Sequence, residues 1–408
     1  MANALAKDLE LMFESFVEAY DAGCVVSKEA AQYYPDPVSM QRAGDTFYKQ
    51  QNYNAAVVTG LDISASSASD IIQRMVPSVF RTPDNVKFTL DAKELRDPEH
   101  KTKMGKASGL RLAAEIDKNL YATVAAQAAV VVKKVSTLTW DDAATAEALL
   151  LSRGLAQGVD RKMFLNAWDY KDIAKDLGNR AYMGDLSKDA YERSRVPDIA
   201  GFRTFRTDNQ AVLAAAGTLT STTVSGNQSF TPTAMTSNLP TDNRQMTLVV
   251  AGANIANSKV GDSFTIAGVN ACHNIDKSDT GQLMTFRILS GQGTANLVIS
   301  PAIIITGPHQ NCTAQAATGA ALVFLNTVSK PVNAFWADGA VELAYGKMSF
   351  PSDMGAQVMT ATTKQGVPLL MAYAFDAMKG LVSGRCTTLY AATVLDPEQT
   401  GIIIANQT

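Results

Sequence analysis

The chain's 408 residues are 46% apolar and 18% charged, enough for roughly two or three domains with a sizeable core, which excludes wholesale disorder. A net charge of −3 argues against a protein that holds nucleic acid by neutralising phosphates. Three histidines (His100, His273, His309) leave few general bases or metal ligands, and Cys24, Cys272, Cys312 and Cys386 lack framework spacing, so composition points away from an enzyme.

The opening stretch MANALAKDLELMFESF mixes acidic with apolar residues and does not read as a signal peptide. The longest nearly apolar run, 120–132, is too short to span a bilayer, which predicts a soluble, cytoplasmically made chain. Residues 4–21 are expected to form an amphipathic helix, with Leu5, Leu9, Met12, Phe13, Phe16, Val17 and Tyr20 on one stripe and Gly23 as its stop. Glu10, Glu14 and Glu18 stack along the opposite side. Their plain reading is a solvated face; the sharper one is a docking ridge for a basic partner helix.

Residues 33–43 read as a proline-punctuated connector, and 46–64 as a two-stranded arm whose weak apolar face needs a partner to cover it. Residues 76–90 suggest a strand pair turning at 83–85. The longest helix is expected over 103–134, a rod about 45 Å long with Leu112, Ile116, Leu120, Val124, Ala128 and Val131 on one face. Asp141 should cap a helix running through Leu151, 162–166 is a buried strand, Asp169 and Tyr170 open a further helix, and 201–207 adds to an α/β or α+β unit.

From Thr218 to Thr327 charge thins out and short strands recur, at 247–252, 262–268, 284–290 and 296–305. That spacing predicts a small barrel or sandwich inserted into a domain that resumes afterwards and ends in strands at 387–395 and 401–405. Cys272, His273, His309 and Cys312 form the one metal-like cluster, but neighbours on a strand face opposite ways, so ordinary loop residues are the preferred reading. The glycine-rich stretch at 290–295 leads into no helix and reads as a hairpin turn. Trp336 reads as core, and Asp242 and Arg244 as either a solvated turn or a contact between subunits.

Six stretches, SMQRAGDTFY (39–48), TPDNVKFTLDAKELRD (82–97), NAWDYKDIAKDL (166–177), VSGNQSFTPTA (224–234), KVGDSFTIAGV (259–269) and VNAFWADGAV (332–341), occur in an order that resembles the major capsid (coat) proteins of short-tailed phages of the Salmonella-phage type. The resemblance implies an α+β tailed-phage/herpesvirus capsid fold with an inserted all-β barrel. Its parts are implied to be an N-arm (1–35), an E-loop with flanking strands (36–80), a peripheral domain with spine helix (81–135), an axial domain (136–221 and 331–408) and the barrel (222–330). It further implies no enzyme activity and no cofactor. The implied function is self-assembly into pentons and hexons of an icosahedral head around double-stranded DNA, bound without sequence specificity, by way of a scaffold-assisted procapsid and maturation. Implied partners are a scaffolding protein, a portal protein and further copies of the chain, assembled in the host bacterial cytoplasm.

Glu10, Glu14 and Glu18 are the candidate scaffold-docking residues. Phe13, Phe16, Tyr48, Tyr53, Asp242 and Arg244 are the candidate intersubunit residues. The loop at 236–245 is shorter than the resemblance would imply for a capsomer bridge. A rival reading makes the β-rich insertion a carbohydrate- or partner-binding module, and another uses the Cys/His cluster in a metal-dependent enzyme.

Overall fold

A computed structural model describes residues 4–35, 46–52, 61, 62, 64, 72–91, 93–155, 158–179, 196–208, 211–217, 222–252, 254–348 and 357–408. They fall into two compact units built from separated stretches: residues 1–47, 78–121 and 342–393 in the first, and 48–77, 122–341 and 394–408 in the second.

The first unit begins with α1 (Ala4–Gly23), which ends at glycine as its spacing predicts. Its sheet runs β1 (Ala31–Tyr33), β19 (Val341–Gly346), β22 (Leu381–Val394), β21 (Pro368–Asp376), β20 (Gln357–Thr362), with β4 (Asp84–Asp91) also on β22. Helix α2 (Pro98–Gln127) opens with proline at its first position, and the Asp97 carboxylate accepts the Glu99 N–H at 2.9 Å. Leu112, Ile116 and Leu120 are buried along it, while Glu115 pairs with Lys118 at 3.8 Å on its wet side.

Two expectations fail here. The strands near 76–90 do not pair with each other: β3 (Met75–Val79) pairs with β2 (Thr46–Gln50), whereas β4 pairs with β22 over Asp84–Asp91 and Leu381–Thr388. The stretch between them runs along β22 instead of turning, with the Arg81 N–H on the Tyr390 carbonyl at 3.2 Å and Phe80 packed 5.3 Å from Phe47. The arm expected over 46–64 is described only in part; of the connector expected over 33–43, Tyr33 ends β1 and residues 36–43 lie outside the described residues. The long helix also stops seven residues early. Val130, Val131 and Val132 are β-branched and form β5 (Val130–Lys133), parallel to β23 (Thr400–Ile404). Arg287, fully buried, donates to the Ala125 carbonyl at the helix end; burial lowers its guanidinium to about 10.

The second unit holds a five-stranded mixed sheet: β5, β23, β18 (Asn333–Ala337), β6 (Arg161–Asn166), β7 (Phe202–Thr207). Every residue of β6, β18 and β23 is buried, as strands covered on both faces require. Helices α3 (Trp140–Ser152) and α4 (Ala167–Asn179) contribute Ala146, Leu150, Ile173 and Leu177 to its core. The cap of α3 is Thr139 and not Asp141: the Asp142 carboxylate accepts both the Thr139 N–H and its hydroxyl at 2.8 Å. Trp336 is core, stacked 4.4 Å from Phe164.

Within this unit the insertion begins and ends at a two-stranded neck, β8 (Val212–Leu213) against β17 (Lys330–Pro331). Between them runs an antiparallel sheet in the order β16 (Leu322–Phe324), β13 (Ser263–Cys272), β14 (Asp279–Ser290), β15 (Asn296–Ser300), β12 (Met246–Ala251), β9 (Thr223–Val224). It closes into a barrel because the Val224 N–H reaches the Ala320 carbonyl at 2.9 Å and the Leu322 N–H the Thr222 carbonyl at 3.0 Å. Along β12, Met246, Leu248 and Val250 point inward, alternating with exposed neighbours. Residues 290–295 form the β14–β15 turn, as expected.

Residues 342–393 group with the first unit and not with 136–221, contrary to the boundary expected for 331–408. The reason is hydrogen bonding: β19 pairs with β1 and β22 with β4, and those ladders hold the whole stretch.

Candidate assembly surfaces

On α1, Leu9, Met12, Phe16 and Tyr20 are buried, and the Phe13 and Phe16 rings stack at 6.1 Å. Phe16 packs within its own unit, while Phe13 is buried but still lines a surface groove. That groove, about 760 Å³, is lined by Phe13, Glu14, Val17, Glu18 and Asp21 among others. Glu10, Glu14 and Glu18 are all exposed, and among the described residues none is in an ion pair. Asp21 is engaged by its own chain, accepting the Lys364 N–H at 3.2 Å.

Two features that sequence reasoning missed fasten this helix. Where α1 crosses α2, Gly105 and Gly109 leave no room for a side chain: a methyl on Gly109 would stand 2.9 Å from the Tyr20 nitrogen, and one on Gly105 would collide with the Met12 carbonyl. The Gly-x-x-x-Gly spacing was the signal available for it. The chain leaving α1 is then pinned by Asp117 of α2, whose carboxylate accepts the N–H groups of Val25, Val26 and Ser27 at 2.7, 3.0 and 2.9 Å.

In the barrel unit, Asp242 and Arg244 hold each other, Nη2 to Oδ2 at 2.7 Å and Nε to Oδ1 at 2.9 Å. Arg244 also donates through Nη1 to the Val394 carbonyl, and both side chains are mostly buried. They form an internal tie, with all three guanidinium nitrogens engaged within the chain. What the loop does expose is the hairpin of β10 (Met235–Thr236) and β11 (Leu239–Pro240), turned by Ser237 and Asn238 at positive φ. Tyr48 is exposed, and Tyr53 lies outside the described residues.

The Cys/His group does not converge. Cys312 faces the barrel core, Cys272 lies 3.6 Å from the Gln310 amide, and His273 Nδ1 lies 2.8 Å from Asp276. Among the described residues, no three His, Cys, Asp or Glu side chains stand where they could hold a metal ion.

Beside them, burial, with Glu398 adding to it, raises the Asp396 carboxyl to about 6, while burial and Arg74 lower His309 to about 4. The two act oppositely. The folded chain takes up the Asp396 proton before the unfolded chain does, so this group adds stability as pH falls from about 6 towards 4; His309 removes stability over much the same range. Asp396→Asn should therefore leave the His309 trend alone, so that stability falls more steeply on going from pH 7 to pH 4 than in the natural chain. Urea midpoints at four pH values check this, and parallel curves would refute it.

The chain, an α+β body with an inserted closed barrel, is a phage coat protein by the match of its sequence to a coat-protein family over nearly its whole length. The chain belongs to the P22 coat protein family, whose family model, described as P22 coat protein (gene protein 5), matches residues 1–405. It is a major capsid protein, forming the icosahedral phage head by association of its copies into capsomers. Among solved structures, the chain is similar to the CUS-3 coat protein I-domain at 41% identity, over 27% of this chain and 99% of that one, with a TM-score of 0.23. The capsid of Cyanophage P-SCSP1u is similar at 11% identity over 94% of this chain and 89% of that one, with a TM-score of 0.46. The mature capsid of bacteriophage PhiM1 is similar at 10% identity over 94% and 88%, with a TM-score of 0.47.

Proposed function

We propose that this capsid protein builds its head through a scaffold-directed procapsid in the host bacterial cytoplasm, and that the outer edge of α1 is where the scaffold docks. The proposal includes a portal protein at assembly, double-stranded DNA packaged without sequence-specific contacts, and no catalytic step. The observation that supports the docking site is the line of Glu10, Glu14 and Glu18, exposed beside a groove with Phe13 and Val17 in its lining. Such a surface suits a basic amphipathic helix, which places apolar side chains in the groove and cations along the acidic edge. Tyr48, and with it Tyr53, is assigned to contacts between neighbouring copies.

Each exposed charge pair contributes about 0.2–1 kcal/mol, so replacing all three glutamates with glutamine should weaken scaffold binding about ten-fold. The helix itself should stay folded, because the removed charges repel one another. Procapsid yield and scaffold content, measured on purified particles, should both fall. Unchanged values would remove α1 as the docking surface and leave the capsid role intact.

A further inference from the structure

We propose that the turn between β22 and β23, residues 394–399, locks the inserted barrel to the base of the arm at residues 48–52 and 72–77, so that neither parts from the turn without the other. This joint belongs to the single chain and is independent of what docks at α1.

The turn is braced from within: Asp396 Oδ1 accepts the Glu398 N–H at 3.1 Å, and the Asp396 carbonyl accepts the Gln399 N–H at 3.3 Å. The end of α2 anchors it through the Ala129 N–H on the Pro397 carbonyl at 3.1 Å. The barrel reaches it twice, as Arg244 donates to the Val394 carbonyl and Asn311 Nδ2 donates to Glu398 Oε1 at 2.7 Å. The arm's base reaches it through Gln51, whose side-chain amide donates to the Leu395 carbonyl. Barrel and arm also meet directly, where the His309 ring is hydrogen-bonded to the backbone of Ile72.

Charge gives the two modules a shared need for this turn. Arg74 of the arm's base and Lys277 of the barrel repel each other, and Arg153, just past α3, adds a third cation. The acids of the turn lie among them: Glu398 attracts Arg153 and Lys277, and Asp396 attracts Arg74. Burial, Arg74 and Lys277 keep His309 neutral near pH 7, so it brings no further positive charge. Like charges held close in a poorly hydrated seam repel strongly, so these carboxylates are what holds cations of separate modules together.

The joint can part without unfolding either module. Asn311 keeps the Ala302 carbonyl at 2.8 Å and the Ile304 N–H at 3.0 Å, and Arg244 keeps Asp242. Gln51 keeps its backbone bond to the Arg74 carbonyl at 3.0 Å. What opens is a polar seam that water can satisfy, and local openings of this kind lie below global unfolding in free energy.

Cys272 reports from the barrel side, being 4% exposed with Lys277 and Glu398 among the charges that face it. The peptide bond after Arg74 reports from the arm side. On the full chain, alkylation of Cys272 is followed by peptide mass spectrometry and cleavage after Arg74 by brief trypsin treatment. Cys386, fully buried in the first unit, is the control for global unfolding. Glu398→Gln keeps an acceptor for Asn311 and removes one charge, so both rates should rise about ten-fold while the Cys386 rate stays. Adding Lys277→Gln should bring both rates back towards the natural values, which the loss of a packing contact would not do. Gln51→Ala alters the arm alone and should speed Cys272 alkylation about five-fold, the effect of one hydrogen bond. A rise at Cys272 without one at Arg74 in Glu398→Gln, no rescue by Lys277→Gln, or an unchanged Cys272 rate in Gln51→Ala would each overturn the joint. Should Glu398→Gln raise the Cys386 rate as well, Gln51→Ala decides alone.

Discussion

Alanine at Gly105 and Gly109 should loosen the N-terminal helix from the long helix it crosses. In an open helix, Gly→Ala stabilises by about 1 kcal/mol, because alanine has less backbone freedom to lose. Here the added methyls meet backbone: the Met12 and Phe16 carbonyls and the Tyr20 nitrogen. Backbone cannot rotate away as a side-chain end can, so α1 must shift bodily. Overpacking of this kind costs about 1–3 kcal/mol per site, which exceeds the propensity gain. The double variant is expected to be less stable than the natural chain by up to about 4 kcal/mol, and proteases should cut sooner within residues 20–35. A rise in the urea midpoint would mean that the helices do not approach this closely. The consequence for assembly is direct, since Glu10, Glu14 and Glu18 stand on the helix that would move.

Asp117→Ala should be the most damaging single change in the first unit. The carboxylate is 2% exposed and satisfies three consecutive N–H groups. Removing it strands those donors away from water, at about 1–3 kcal/mol each and less than additively, for an expected total of about 3–5 kcal/mol. Asp117→Asn separates charge from shape. Its single carbonyl oxygen can serve Val25 and Val26, but its NH₂ then faces the Ser27 N–H. The asparagine variant should therefore fall between the natural chain and alanine in thermal unfolding. Equal stability of all three would show that the tie contributes nothing.

Both sites bear on what could be read before the structure. The α1 stripe was legible because a helix writes its buried face at a fixed spacing, and Leu9, Met12, Phe13, Phe16 and Tyr20 are all inside. The barrel was legible for the equivalent reason, its strands alternating as Met246, Leu248 and Val250 do. Asp117 was not. In the sequence it is one more charge on a long helix, and its role appears only when the turn after α1, ninety residues earlier, folds back onto it. Arg244 shows the same limit, since a polar loop residue facing solvent and one tied to Val394 have identical local sequence.

Strand pairing lies further out of reach. A hairpin was expected near 83–85 because sequence neighbours pair most cheaply, with little chain entropy lost in closing the loop. The structure instead lays β4 along β22, some 300 residues away. The same non-local pairing turned Val130–Lys133 from the expected end of a helix into a strand beside Gly401–Ile404.

The sequence alone determined most of the elements, the buried faces of helix α1 and the barrel strands, and the presence of an inserted barrel, because backbone sterics and side-chain periodicity act over a few residues. Only the tertiary structure decided which strands pair, which unit holds residues 342–393, and which charges become internal ties in place of contact surfaces. Those outcomes depend on which distant surfaces meet, and no local pattern records that.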